Sequence, residues 1–374
     1  MKSLSKIPTA LIFVPFYLLI LIASEWSLRV WYPSRTVPNV IPDTQLHHAY
    51  RPNITFTTFP NEAETFPPAI NEINSMGIRG AVPPTKQETR VLLLGDSFVQ
   101  ADEVRFHETF GQLLNQYFKN KIEFIAHGMV SWSPTPEFSW LHHYGFSLQP
   151  DHIVLFLCVN DFFDPNTFHQ TDAIYRRQAI YQNGIPVAYD LPEKTWSERI
   201  LKHSELIRLT SRFYRKVKPI LKNSSSDISS DIANETIILG SKNNLWPYQI
   251  QKNVKETLAV VEDIQRASLS IGVKLHVTLV PLPFSWPDEA VPGKALHPYN
   301  WPADFTVSQN GIEKYIRNHL NDFGISWIDL QQSFARAKRI SKIKLFNEVD
   351  GHWNANGHRV VFESLSKYFD QKRN

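Results

Sequence analysis

From Arg90 onward the chain alternates two apolar patterns. Short runs rich in strand-forming apolar residues occur at Arg90–Leu94, Ile122–Ala126, Ile153–Val159, Val273–Val280 and Ser326–Leu330, of which Arg90–Leu94 and Ile153–Val159 are the most apolar. Runs of this length, bounded by turn residues, predict strands buried on both faces. Between them apolar positions recur every three or four residues, which predicts helices at Phe106–Phe118, Thr135–Tyr144, Tyr248–Ser270, Gly311–Phe323 and Asn356–Phe369. Gly272 and Gly324 each follow a helix and precede a strand, the place for a left-handed helix stop. Such alternation builds βαβ units and a parallel sheet.

Three stretches fall outside the alternation. Asp161–Pro247 separates the third and fourth strands and is too long for a plain connection. Ser197–Leu221 within it is expected to be helical, and Asn223–Asp231 reads as a flexible surface loop. An insertion there overhangs the carboxyl edge of the sheet, as a lid or as a solvated decoration. Pro281–Phe305, with Trp286 and Trp301, rims the same edge. Residues 33–72, rich in Pro, Thr and Asn, read as an extended linker or an arm packed on the domain.

The N-terminal run Ile7–Ala23 carries no charge and shows no polar face. A membrane-spanning helix needs roughly 20 apolar residues, with about 17 as the lower limit. Lys2 and Lys6 precede the run, which favours a cytoplasmic N-terminus and an exported body. Trp26, Trp31 and Tyr32 fall where interfacial aromatics sit. Ala23-Ser24 followed by Glu25-Trp26 is a poor cleavage site, so an uncleaved anchor is expected over a cleaved signal peptide. The expected organisation is residues 1–32 as cytoplasmic stub, transmembrane signal-anchor helix and interfacial segment, then 33–72 as arm. The body is 73–374, with its insertion at about 161–247. The chain would cross the inner membrane once, with the body on the periplasmic or extracellular side.

Composition narrows the chemistry. Hydrophobic content of 43% and charged content of 20% over 374 residues belong to an ordinary folded protein. A net charge of +3, without a basic stripe, argues against nucleic acid as a partner. Cys158 is the only cysteine, which rules out intrachain disulfides and a cysteine-based zinc cage. Its apolar surroundings predict a buried, inert thiol. His142-His143 lack the i, i+4 spacing of helical metal sites and read as surface residues. No cofactor is expected.

Gly95-Asp96-Ser97-Phe98 follows the first strand at once, so Ser97 stands where a strand must stop and a helix must begin. Open α/β folds place their chemistry at that carboxyl edge. Near the other end, Val349-Asp350-Gly351-His352-Trp353-Asn354 offers an imidazole base and a carboxylate to orient it. In this arrangement Ser97 is the nucleophile, His352 the base and acid, and Asp350 the group that orients His352. Asn160, directly after the third strand, can point its amide into the same site. The backbone N–H of Ser97 and one from the loop after the second strand would complete an oxyanion hole. Taken one at a time, Ser97 suits a helix N-cap, His352 a cap of the final helix and Asn160 a turn. His358 reads as structural. Trp132, Trp286, Trp301 and Trp353 suit rim packing better than sugar stacking.

Gly95-Asp96-Ser97-Phe98, the Gly128 loop, Val159-Asn160-Asp161 and Asp350-Gly351-His352-Trp353-Asn354 resemble, in order, the four sequence blocks of the SGNH (GDSL-type) hydrolase family. The resemblance spans roughly Asn74 to Phe369. It implies a flavodoxin-like three-layer α/β/α fold with a five-stranded parallel sheet in strand order 2-1-3-4-5. It also implies ester hydrolysis through an acyl-serine without metal or cofactor. The Asn74-x-x-Gly77-x-Arg79 element and the anchor resemble those of membrane-tethered bacterial members, some of which act on acetylated glycans.

Two departures shape the expected function. Ser131 stands where the family has the glycine whose N–H serves the oxyanion hole, so the expected oxyanion donors are Ser97, Ser131 and Asn160. A Cβ at that position crowds the acyl pocket and favours a small acyl group such as acetyl. The family often spaces its last pair Asp-x-x-His, whereas Asp350 and His352 are two apart, a spacing also found in some acetyltransferase relatives. Glu348 and Asp329 are the fallback carboxylates. The expected function is removal of a small acyl group, acetyl above all, from a carbohydrate or related ester. An O-acetyltransferase, which would need a protein partner to supply acyl groups, is the alternative. A non-catalytic glycan-binding module is the second.

Overall fold

The computed structural model describes residues 9–31, 39–60, 66–86, 88–119, 121–162, 179–189, 204–207, 209–210, 246–286, 289, 310–348 and 351–373. In chain order the strands are β1 (Val40–Asp43), β2 (His47–Tyr50), β3 (Ile54–Thr58), β4 (Ala69–Ile73), β5 (Thr89–Gly95), β6 (Ile122–Gly128), β7 (His152–Leu157), β8 (Ala179–Gln182), β9 (Ile185–Tyr189), β10 (Lys274–Leu279) and β11 (Ser326–Trp327). The five apolar runs pair in parallel in the order β11-β10-β7-β5-β6. Numbered one to five along the chain, this is the expected 2-1-3-4-5. The chain enters at β5, steps outward to β6 and then reverses to β7, so the topological switch point lies beside the end of β5.

Burial explains why the two central runs carry no polar face. Val91 to Leu94 and Ile153 to Leu157 have no exposed surface, which requires helices on both sides of the sheet. Helices Phe110–Phe118, Leu330–Ile340 and Ala355–Arg373 pack together over one face. Helices Pro134–Trp140, Tyr248–Ser270 and Asn310–Asp322 cover the other. Gly272 and Gly324 both take positive φ, as helix stops before β10 and β11 require.

The structure corrects several boundaries. The helix expected over Phe106–Phe118 divides at Thr109, whose backbone is extended and whose hydroxyl donates to the Phe106 carbonyl, leaving Phe110–Phe118 as the helix. Thr135–Tyr144 becomes the helix Pro134–Trp140 followed by a π-helical turn at Leu141–Gly145. The last strand stops at Trp327 because Asp329 caps a new helix, Leu330–Ile340, by accepting from the Gln332 N–H at 2.8 Å. The described part of the arm forms two hairpins: β1 pairs with β2 and β3 with β4, each antiparallel. In the insertion, β8 and β9 form a further hairpin. The expected loop at Asn223–Asp231, Trp301 and most of Ser197–Leu221 lie outside the described residues.

From Thr9 on the N-terminal run lies in a helix, Thr9–Trp31, which belongs with the described residues 204–207 and 209–210 to a compact unit of its own. Phe16, Leu18, Leu19 and Ile22 on this helix are exposed. Its carboxyl-terminal part turns polar: Glu25 pairs with Arg29 and accepts from the Ser204 hydroxyl and the Glu205 and Leu206 N–H groups. Among the described residues no helix is long and apolar enough to cross a membrane. The transmembrane span expected at Ile7–Ala23 is therefore not part of the described architecture.

Candidate active site

Ser97 opens a four-residue helix, Ser97–Gln100, immediately beyond β5. Asp96 caps that helix by accepting from the Phe98 N–H at 2.9 Å, and Ala101 ends it with positive φ. The turn is tight because two glycines face each other across the β5–β6 ladder, Gly95 opposite Gly128. A Cβ at Gly128 would lie 2.3 Å from the Asp96 carbonyl oxygen and 2.4 Å from the Gln100 nitrogen. Only glycine lets β6 approach the Ser97 turn this closely.

His352 arrives from the opposite end of the sequence. Gly351 takes φ 75° just before it, and the Asn347 N–H donates to the His352 carbonyl at 2.8 Å. Trp353 behind it is buried, and its indole donates to the Pro281 carbonyl at 3.0 Å. Asn354 then caps the final helix, accepting from the N–H groups of Asn356 and Gly357. The result places His352 Nε2 at 2.7 Å from Ser97 Oγ, across 255 residues of sequence. With the serine hydroxyl donating, Nε2 is the acceptor and the ring proton sits on Nδ1. The Phe98 ring lies 4.8 Å from the imidazole and 5.0 Å from the Trp353 ring, flanking the His352 side chain. Sequence reasoning missed this contact of Phe98; its place beside Ser97 was the only available signal.

Ser131 and Asn160 follow the carboxyl ends of β6 and β7, the two neighbours of β5, so both lie along the edge that carries Ser97. Ser131 takes φ 61°, in the left-handed region that favours glycine. Asn160 is exposed, and its side chain hydrogen-bonds the Asp96 carboxylate. Asp350 lies outside the described residues. Of the fallback carboxylates, Asp329 is a helix cap paired with Arg317, and Glu348 is exposed.

Buried carboxylates lie beneath the site. Burial raises Asp96, opposed by hydrogen bonds from Phe98, Cys158 and Asn160 and by attraction to His352. Asp161 and Glu137 are pushed well above the usual carboxylate range, first by burial and then by neighbouring carboxylates. Asp161 Oδ2 accepts from the Cys158 N–H at 2.8 Å. The Cys158 thiol is buried and pushed well up, as expected for an inert cysteine. His358 is buried against Phe110, and burial drives it down to about 3, in keeping with a structural role. Trp132 and Trp353 are core residues and Trp286 stacks on Phe346, so none of the three is placed to stack on a sugar. His142 is exposed, whereas His143 is half-buried and bonded to the Val187 carbonyl, a partial departure from the surface reading. Among the described residues no group of His, Cys, Asp or Glu could hold a metal ion.

A scan of protein-family models and a search of curated proteins return no match. Among solved structures, the chain is similar to a member of the lipolytic protein G-D-S-L family from Veillonella parvula, with 10% identity and a TM-score of 0.37 over 75% of this chain and 98% of that one. It is similar to an acetyl xylan esterase at 14% identity and a TM-score of 0.38, over 75% of this chain and 98% of that one. A psychrotrophic esterase from Pseudoalteromonas sp. gives 10% identity and a TM-score of 0.40, over 76% and 99% of the two chains. These likenesses are distant; the site reading rests on the geometry above.

Proposed function

We propose that this protein is an SGNH-type serine esterase that releases a small acyl group, acetyl above all, from a carbohydrate or related ester. The observation that carries the reading is the 2.7 Å contact between Ser97 Oγ and His352 Nε2, built from opposite ends of the chain at the sheet's switch point. Ser97 Oγ attacks the ester carbonyl while His352 Nε2 takes its proton. The carbon–oxygen bond to the alcohol then breaks, and His352 returns the proton to the leaving oxygen. Water repeats the sequence on the acyl-serine and regenerates the hydroxyl. Asp350 is assigned to orient the imidazole through Nδ1–H, as in the Ser-His-Asp arrangement. The N–H groups of Ser97 and Ser131 and the amide of Asn160 are assigned to the developing oxyanion, each worth about 3–4 kcal/mol in the transition state.

The Cβ of Ser131 at a left-handed position supports a small acyl group, because it takes space that glycine would leave open. Tethering by the N-terminal run, with the catalytic body outside the inner membrane, belongs to the same proposal. It is supported by the uncharged run, the lysines before it and the exposed apolar side chains of the helix. Full-length protein in detergent is assayed with p-nitrophenyl acetate, butyrate and octanoate and with acetylated oligosaccharide. Turnover that falls with chain length and disappears in Ser97→Ala is expected. Equal turnover in Ser97→Ala overturns the reading.

A further inference from the structure

His48 contacts both neighbours of Ser131, the strained residue of the oxyanion loop. His48 lies on β2, fully buried, 82 residues before Val130, and its Nε2 is 2.7 Å from the Val130 carbonyl oxygen. The Trp132 indole donates back to the His48 carbonyl at 3.0 Å. The loop itself is a turn in which the Trp132 N–H donates to Met129 O and the third residue, Ser131, has φ 61°. Turns with positive φ at that position are built for glycine or asparagine. Serine there needs outside support, and the arm supplies it.

The hydrogen-bond chain fixes the ring tautomers. A carbonyl can only accept, so His48 carries its proton on Nε2. In the neutral pair, His48 Nδ1 therefore accepts from His47 Nδ1–H, at 2.7 Å. His47 is also fully buried and also takes positive φ. The carbonyl gripped by His48 belongs to the same peptide unit as the Ser131 N–H. A trans peptide carries these groups on opposite sides, so holding the carbonyl toward the arm turns the N–H away from it. Hydrogen bonding to the carbonyl also polarises the amide and strengthens its N–H as a donor.

We propose that His48 is a positioning residue for the reaction: through the Val130–Ser131 peptide it aims and strengthens the Ser131 N–H, replacing the conformational freedom of a glycine. This rests on the reading of Ser131 as an oxyanion donor. It assigns a catalytic purpose to the β1–β2 hairpin, which otherwise looks like a structural arm.

The test compares full-length His48→Gln, His48→Asn and His48→Leu, with Ser97→Ala beside them. Glutamine places a donor near the Nε2 position, asparagine only near Nδ1, and leucine neither. With p-nitrophenyl acetate, His48→Gln is expected to stay within about fivefold of wild-type kcat, whereas Asn and Leu lose about 30-fold or more, since removing an oxyanion donor outright costs about 10²–10³. KM is expected to shift far less than kcat in all three. Hydrogen exchange of the peptide spanning Met129–Trp132 should accelerate in Asn and Leu and not in Gln. Wild-type kcat in folded His48→Leu, or equal losses in Gln and Asn, overturns the proposal. If the leucine variant does not fold, the Gln–Asn comparison decides alone. Turnover surviving in Ser97→Ala removes the esterase reading instead, and the exchange measurement still tells whether His48 holds the loop.

Discussion

Replacing Gly128 by alanine tests how closely the turn that carries Ser97 depends on the sheet beneath it. The new methyl would lie 2.3 Å from Asp96 O, 2.4 Å from Gln100 N and 3.0 Å from the Val99 carbonyl carbon. All three obstacles are backbone atoms, so no rotamer change relieves them. Ordinary contact between such atoms begins near 3.5 Å, and the turn carrying Ser97 must retreat by roughly 1 Å. Overpacking of this kind costs about 1–3 kcal/mol of stability. A displacement of about 1 Å at a reacting group costs on the order of 100-fold in rate. The Ser97–His352 contact, 2.7 Å as built, would open by a comparable amount. Gly111→Ala is the control, since its Cβ, on the helix covering the same strand, would meet only side-chain atoms, the Ala126 methyl at 3.1 Å and Leu93 Cδ1 at 3.8 Å. Steady-state turnover of p-nitrophenyl acetate and thermal unfolding, measured on both variants, give the answer. Gly128→Ala with kcat within threefold of wild type and an unchanged Tm would refute the reasoning.

Other expectations follow from the same structure. Arg79 donates to the backbone carbonyls of Ile70, Gln100, Ala101 and Val104, tying the arm to the segment after Ser97. Arg79→Met should cost at least about 3 kcal/mol in denaturant unfolding, because bonds to a charged donor are worth about 1.5–3 kcal/mol each; Arg79→Lys should recover only part, lacking the planar fork. Glu137 is buried with its pKa raised, so the native state holds a proton that the unfolded chain releases. Its contribution is full below about pH 4 and is lost as pH rises towards the folded pKa, so Glu137→Gln should leave Tm unchanged at pH 4 and raise it above neutrality. Phe98→Ala removes the ring that flanks the imidazole and should lower kcat more than it changes KM.

The sheet and the turn that carries Ser97 were legible because each signal was local. An uninterrupted apolar run ending in Gly95-Asp96-Ser97 marks both a buried strand and the turn beyond it. Tyr248–Ser270 was readable to the residue because one amphipathic stripe runs its length. Leu330–Ile340 was not, since only Ile328 separates the short strand from its cap, Asp329, and the apolar positions of the two elements merge. The arm hairpins were hidden for a different reason. Their strands are four or five residues long and interrupted by Pro and Thr, and residues such as His48 and Asn71 are fixed by partners far away in sequence. The juxtaposition of Ser97 with His352 was readable from the two motifs, whereas the support of Ser131 by His48 depends on a contact that no local pattern encodes.

The most direct measurement is the mass of the full-length chain after brief reaction with an alkyl fluorophosphonate, followed by peptide mapping. A single phosphonyl adduct on the peptide containing Ser97 is expected, forming at least about 100-fold more slowly in His352→Ala, as loss of a general base requires. An adduct on another residue, or labelling of His352→Ala at the wild-type rate, would contradict the account.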